Sequence, residues 1–395
     1  MANPARRRGN LAEVFLAALK LGATSFGGPV AHLGYFREEY VSQKKWLDDK
    51  EFADLVALCQ FLPGPASSQV GIGVGWLRAR FPGAVAAWLG FTLPSALLLI
   101  SFAWAVQAAD LLDAGWIQGL KIAAVAIVAQ AVYGMGKSIV TDGKSALIAL
   151  VSACVVLFWR DAQAQLLVIA AAGLFGWLAL RKTRAQNEVA AIGGKKERTK
   201  GIAALTVFFA LLVALPLLVR IDDCQIVHMF DSLYRTGALV FGGGHVVLPL
   251  LQSGTVSSGW LSEQQFLAGY GAAQAVPGPL FAFAAYIGMM MNGWAGAALA
   301  TIAIFLPGFL LVIGVLPFWN VLRRKAGAQA ALRGINASVV GILLAALYDP
   351  VWSTSIHTNG DFALALAAFF VLVLFKRPPW VAVLLCAVGG WLLHV

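Results

Sequence analysis

Two short motifs have residue types and spacing suited to handling a small charged solute. Phe26-Gly27-Gly28-Pro29 and Gln60-Phe61-Leu62-Pro63-Gly64-Pro65 each interrupt an apolar run. Both return about 214 residues later, as Phe241-Gly242-Gly243-Gly244 and Gln274-Ala275-Val276-Pro277-Gly278-Pro279. Proline removes a backbone donor and clashes with the preceding turn, while glycine opens positive φ. In hydrocarbon, the backbone groups freed by such breaks are tolerated only where protein or a water-filled cavity meets them. Proline also suits the first turn of a new helix. Pro65 and Pro279 are therefore expected to restart helices whose free N–H groups and positive dipole ends form anion sites. A packing kink is the alternative for any single break, but four breaks at matched places favour a site.

Basic residues follow the same register. Lys20 and Arg235 each precede a Phe-Gly-Gly by six residues, and Lys121 and Arg333 match in Leu120-Lys121 and Leu332-Arg333. A cation at the centre of a membrane helix costs about 2.5–3.5 kcal/mol, so these are functional candidates unless they snorkel to the interface. Acids are not expected to balance them. Glu13, Asp54 and Asp231 fall in first turns, where the helix dipole alone favours them. Matched cations, free helix amino ends and no central carboxylate suit an anion, and arginine's fork fits a tetrahedral oxyanion. Ser67, Ser68 and Gln69 follow the first Pro-Gly-Pro, and Gln60 and Gln274 precede the two motifs. They add donors, with interhelical hydrogen bonding as their alternative role. The expected substrate-binding set is Lys20, Gly27, Gly28, Gln60, Pro63, Gly64, Pro65, Ser67, Ser68, Lys121, Arg235, Gly242, Gly243, Gln274, Pro277, Gly278, Pro279 and Arg333.

The elements that must carry these residues are membrane helices. Of 395 residues 60% are hydrophobic and 12% charged, with a mean hydropathy of +0.78. That is half the charge of an average soluble chain, roughly 25%. The fold class is an all-α polytopic membrane protein. Apolar stretches predict about thirteen spans: 11–36, 52–80, 84–106, 116–136, 145–159, 163–180, 202–219, 230–252, 266–291, 294–318, 331–348, 361–375 and 380–394. The stretches 145–159, 361–375 and 380–394 fall short of the roughly 20 residues of a full crossing and read equally as thin hairpins. Arg6–Arg8 followed by a long run containing Lys20, without a small-residue cleavage site, predicts a first span and not a signal peptide. Lysine and arginine gather on one side if the amino terminus is cytoplasmic, which leaves the carboxyl terminus periplasmic. The net charge of +10 is then a topology signal and no indication of nucleic-acid binding.

The recurring motifs make the chain a duplication, with repeat cores at 11–106 and 226–318. Residues 1–180 form a first half, 181–200 a basic cytoplasmic linker, 201–225 an extra span, and 226–395 a second half. An odd number of spans separates the copies, so the second should run opposite to the first. That inverted arrangement places secondary-transporter sites near mid-membrane between the halves. The four cysteines and five histidines are scattered, so no metal, redox cofactor or enzymatic centre is expected.

Phe26-Gly27-Gly28-Pro29, Trp46-Leu47, Gln60 through Pro65 and their later echoes resemble the chromate ion transporter family in its long two-domain form. The resemblance implies chromate efflux across the bacterial inner membrane, driven by the proton motive force and conferring chromate resistance. Sulfate is the structural analogue, and protons and lipids are the other implied partners. The second copy has Gly244 where the first has Pro29, so the two breaks need not be equivalent. From the residues alone, the reading extends only to an anion transporter. Sulfate or other oxyanion uptake through the same site is the nearest rival, with a membrane redox enzyme and a membrane scaffold behind it.

Overall fold

The computed structural model describes residues 10–109, 111–159, 162–180, 195–221, 224–241, 247–319 and 325–394. Among them the regular elements are helical, with no strand. In chain order these are α1 (Leu11–Thr24), α2 (Gly28–Arg37, continued by a π-helical turn to Gln43), α3 (Asp49–Phe61) and α4 (Ala66–Ala108). Next come α5 (Gly115–Ile139), α6 (Gly143–Phe158), α7 (Ala162–Ala179) and α8 (Lys195–Ile221). The second copy contributes α9 (Gln225–Leu239), α10 (Val247–Thr255), α11 (Glu263–Ala275) and α12 (Phe283–Val315), the last preceded by a 3-10 turn at Leu280–Ala282. The chain closes with α13 (Ala326–Ala346), α14 (Asn359–Val373) and α15 (Pro379–Leu393).

Among the described residues, five helical stretches are long and apolar enough to cross a membrane: 66–108, 115–139, 197–221, 280–318 and 326–355. Four more, at 143–158, 164–179, 359–373 and 379–393, are apolar but shorter. A 15-residue helix rises about 22 Å, below the ~30 Å hydrocarbon core. The chain is a multi-pass membrane protein. Local chemistry sets the helix starts. Asp48 and Glu51, Asp142 and Ser145, and Thr358 and Asp361 form reciprocal capping boxes that satisfy the first free N–H groups of α3, α6 and α14.

Two of the long helices are sharply folded in the same way. Ala79 (φ −139°, ψ 24°) and Arg80 (φ 57°, ψ −146°) break α4, and Asn292 (φ −138°, ψ 26°) and Gly293 (φ 60°, ψ −149°) break α12. These are the joints the sequence placed between 80 and 84 and between 291 and 294. The limbs press together so closely that a Cβ on Gly75 would lie 2.2 Å from the Gly83 carbonyl oxygen, and one on Gly288 2.2 Å from that of Gly296. Only glycine permits this approach.

The chain divides into two compact units, and each draws on both sequence copies. Unit 1 comprises residues 1–105, 193–244 and 276–317; unit 2 comprises 106–192, 245–275 and 318–395. Within unit 1, α8 and α9 pack on α12. Gly22 abuts the Phe91 carbonyl, and its counterpart Gly237 abuts that of Ile304. Within unit 2 the copies exchange partners: α5 packs on α14 and α15, while α13 packs on α6 and α7. A Cβ on Gly119 would meet the Cys386 oxygen at 2.0 Å, and one on Gly334 the Ala172 oxygen at 2.1 Å.

Candidate functional site

The candidate site is a property of unit 1, where the broken helix ends meet. α1 stops as Ser25 turns extended, its N–H closing on Leu21. Gly27 (φ 100°) then caps α2 in the left-handed region, and Gly28 follows at φ 82°. No atom lies within 4 Å of a Cβ built on Gly28, so conformation and not space demands glycine there. α3 ends at Phe61, Gly64 takes φ 115°, and α4 restarts with Gln69 donating its N–H to Pro65 O at 2.9 Å. The expected restart after the first Pro-Gly-Pro is present.

The two Pro-Gly-Pro motifs hold the broken ends of the opposite copy. Gly64 donates its N–H to the carbonyl of Val240, which ends α9, at 2.7 Å. Gly278 donates to the carbonyl of Ser25, which ends α1, at 2.9 Å. The surroundings are reciprocal too. A Cβ on Gly64 would lie 2.9 Å from Gln69 Nε2 and 3.4 Å from Gly308 Cα, and one on Gly278 2.9 Å from Ser95 Oγ and 3.2 Å from Gly22 O. Ser95 and Gly308 follow the matched prolines Pro94 and Pro307.

Around this interlock lies a buried polar neighbourhood. His32 Nδ1 is 3.2 Å from Ser67 Oγ, and its ring meets Phe91 edge to face at 5.6 Å. Gln69 Nε2 donates to Pro63 O at 2.7 Å, and Ser95 Oγ to Thr92 O at 3.0 Å. Ser25 Oγ, His32 Nε2, Ser68 Oγ, Gln69 Oε1 and Thr92 Oγ1 are buried with no hydrogen-bond partner. An unpaired buried polar group costs about 1–3 kcal/mol, so such a concentration marks a place for a polar solute or water. Ser25, His32, Thr92 and Ser95 were missing from the expected set. Only the position of Ser25, directly before Phe-Gly-Gly, hinted at a role.

The expected residues are distributed as follows. Ser67, Ser68, Gly64, Pro65 and Pro277–Pro279 belong to unit 1 with Gly27 and Gly28, while Gln60 is exposed at the end of α3. Gln274 falls in unit 2, beside the buried Tyr270. Gly242 and Gly243 lie outside the described residues. The bases depart from expectation. Lys20 Nζ pairs with Glu39 Oε2 at 2.5 Å and reaches Gln43 Oε1 at 3.3 Å, and Arg235 pairs with Asp231 one turn earlier on α9. The expected lack of balancing acids is thus corrected for both, because Glu39 and Asp231 are almost wholly buried and a buried carboxylate needs a cation. Glu39 lies beyond the expected first span 11–36, on the π-helical continuation of α2. Lys121 and Arg333, both in unit 2, are unlike each other: Lys121 is buried on α5, whereas exposed Arg333 donates to the Leu180 carbonyl beyond α7.

The sequence model of the chromate transporter family matches this chain twice, over residues 12–177 and 227–391. The chain belongs to the chromate transporter family. The two matches extend the duplication past the repeat cores to α5–α7 and α13–α15. The chain is 28% identical to a chromate transport protein of Pseudomonas aeruginosa, across 96% of this chain and 92% of the relative. It is 29% identical to a chromate transport protein of Cupriavidus metallidurans, across 93% and 89%, and to a probable chromate transport protein of Synechococcus elongatus, across 93% and 90%. These relatives are named as transport proteins and not as enzymes. No solved structure matches this chromate transporter family member.

Proposed function

We propose that this chain exports chromate across the bacterial inner membrane, in exchange with protons moving down their gradient, and thereby confers chromate resistance. The reading rests on one observation above all: the reciprocal interlock of the Pro-Gly-Pro loops with the ends of α1 and α9. It holds a helix amino end inside a membrane unit beside buried hydroxyls and an imidazole, which suits a dianion. The two copies are taken to run oppositely through the membrane, the amino terminus cytoplasmic and the carboxyl terminus periplasmic. Lys20 and Arg235 are kept as bases that an arriving anion draws from Glu39 and Asp231, with Lys121 and Arg333 as bases of the second unit. Sulfate shares the shape and charge of chromate and is the expected competitor.

Flux into liposomes carrying the purified chain tests this. Chromate should accumulate only under an imposed pH gradient, and sulfate should compete. Sulfate entry without chromate flux would replace export by an oxyanion-uptake reading.

A further inference from the structure

The duplication makes two half-helix amino ends, after Pro65 and after Pro279, and the backbone treats them alike. Their side chains do not match. At the displacement of 213–215 residues that aligns the copies, Ser25 corresponds to Val240, His32 to Val247, Ser67 to Phe281, Ser68 to Ala282 and Thr92 to Phe305. All ten are buried. At these five positions the first copy therefore carries hydroxyls and an imidazole, and the second carries aliphatic and aromatic carbon.

The backbones of the first turns differ in the same sense. After Pro65 the first closing hydrogen bond is α-helical, Gln69 N–H to Pro65 O, which leaves the N–H groups of residues 66–68 without intrahelical acceptors. The helix they begin runs to the break at Ala79. After Pro279 the chain makes a 3-10 turn in which Ala282 N–H already donates to Pro279 O, and the Phe281 ring lies tilted against that of Phe305 at 5.9 Å. A donor is used up there, and the approach is lined by rings.

We propose that the chain holds a single anion site, built on the first copy alone: the first turn of α4 with Ser25, His32 and Ser68 as ligands, and Ser67 positioning the imidazole. The second Pro-Gly-Pro is a brace. The inference rests on the anion-transport reading above and deepens it. Ser68 lies within the first turn itself, its Oγ buried and unpartnered. His32 is anchored to that turn through Ser67, and its buried Nε2 has no side-chain hydrogen-bond partner. With Ser67 donating to Nδ1, the ring proton sits on Nε2, which becomes a donor toward an anion. Ser25 adds a hydroxyl from the end of α1, fixed in place because Gly278 of the second copy holds its carbonyl. Neutral donors and a helix amino end suit a tetrahedral dianion such as chromate or sulfate, and the brace explains why the second motif keeps its glycine although its own copy carries no polar side chain at the five matched positions.

The test uses the full-length chain in detergent and in liposomes, with chromate and sulfate as probes. Thermal unfolding with and without each anion is measured beside the concentration dependence of flux. Ser68→Ala and His32→Ala should each raise the half-saturating chromate concentration at least tenfold and abolish the anion-induced rise in melting temperature, and Ser68→Ala should leave anion-free melting unchanged. Ser68→Thr should restore both. Phe281→Leu should leave half-saturation within twofold. Wild-type half-saturation and anion-induced stabilisation in both Ser68→Ala and His32→Ala, in a chain that still transports, would overturn the one-sided site while leaving anion transport standing. An equal rise in half-saturation from Phe281→Leu would do the same. A wild-type chain with neither flux nor anion-induced stabilisation would overturn both readings.

Discussion

Gly64 donates its backbone N–H to the carbonyl of Val240 at 2.7 Å, so the first Pro-Gly-Pro closes the end of a helix that belongs to the second copy. The mirror bond from Gly278 to Ser25 closes the exchange. A proline-glycine break would otherwise leave carbonyls without donors in a medium that supplies none. Here each copy provides the donor the other lacks, so the broken helices are mutually dependent.

That dependence predicts matched damage. Gly64→Ala and Gly278→Ala would force a side chain into the left-handed region, at about 1–2 kcal/mol, and would press the new methyl to 2.9 Å from Gln69 Nε2 and Ser95 Oγ respectively. Both should lower the melting temperature of the purified chain by several degrees and reduce transport. Gly28→Ala carries only the conformational cost, since its Cβ meets nothing, and should lower melting by less. Equal melting for all three variants would refute the interlock as the source of stability.

The second unit offers a sharper contrast within one helix. A Cβ on Gly119 of α5 would meet the Cys386 oxygen at 2.0 Å, whereas nothing lies within 4 Å of one on Gly136. Gly119→Ala should destabilise by about 1–3 kcal/mol, as overpacking does. Gly136→Ala should be neutral or stabilising by up to about 1 kcal/mol, the helix-propensity gain. Gly334→Ala, against the Ala172 oxygen at 2.1 Å, should resemble Gly119→Ala. Thermal unfolding of the three variants decides it.

How far the sequence could be read follows from these same residues. The breaks at Gly27, Gly64 and Gly278 and the joints at Arg80 and Gly293 were visible because proline and glycine act locally, on their own φ and on the next turn. Which copy a helix packs against was not visible. The matched glycines 119 and 334 announce close packing, but a repeat carries the same pattern whether a helix meets its own copy or the other. Glu39 is not legible as the partner of Lys20 because α2 runs on through a π-helical turn, which buries a carboxylate that lies beyond the expected span 11–36. His32 was passed over because a lone histidine in an apolar run has no local signature; only its contact with Ser67 singles it out.

The Lys20–Glu39 pair separates a structural cation from a substrate ligand. Lys20 is half-exposed and Glu39 buried, so removing the lysine strands a carboxylate at a cost of about 1 kcal/mol after solvent screening. Lys20→Gln should lower the melting temperature, and Glu39→Gln added to it should restore melting. The transport of the double variant is the deciding measurement. Recovery with melting assigns Lys20 to holding α1 against the turn at Glu39. Restored melting with flux still lost assigns it to the anion path, the outcome expected if an arriving anion draws the lysine from its carboxylate.

The proposed opposed orientation of the copies makes the last prediction. Ser42, in the turn after α2, and Ser257, in the turn after α10, occupy corresponding stretches, each just before a Trp-Leu pair (Trp46-Leu47 and Trp260-Leu261), and both are exposed. Oppositely running copies must place these two turns on different sides of the bilayer. In a cysteine-free background, Ser42→Cys should react with an impermeant maleimide added to intact cells, and Ser257→Cys only after permeabilisation. The proposed cytoplasmic amino terminus, which rests on the basic linker at 181–200 and the amino-terminal arginines, gives the assignment a sign: labelling of Ser257→Cys alone from outside would reverse the whole topology. Labelling of both from the same side would make the copies parallel, and the alternating exposure of a shared site would then need a different geometry.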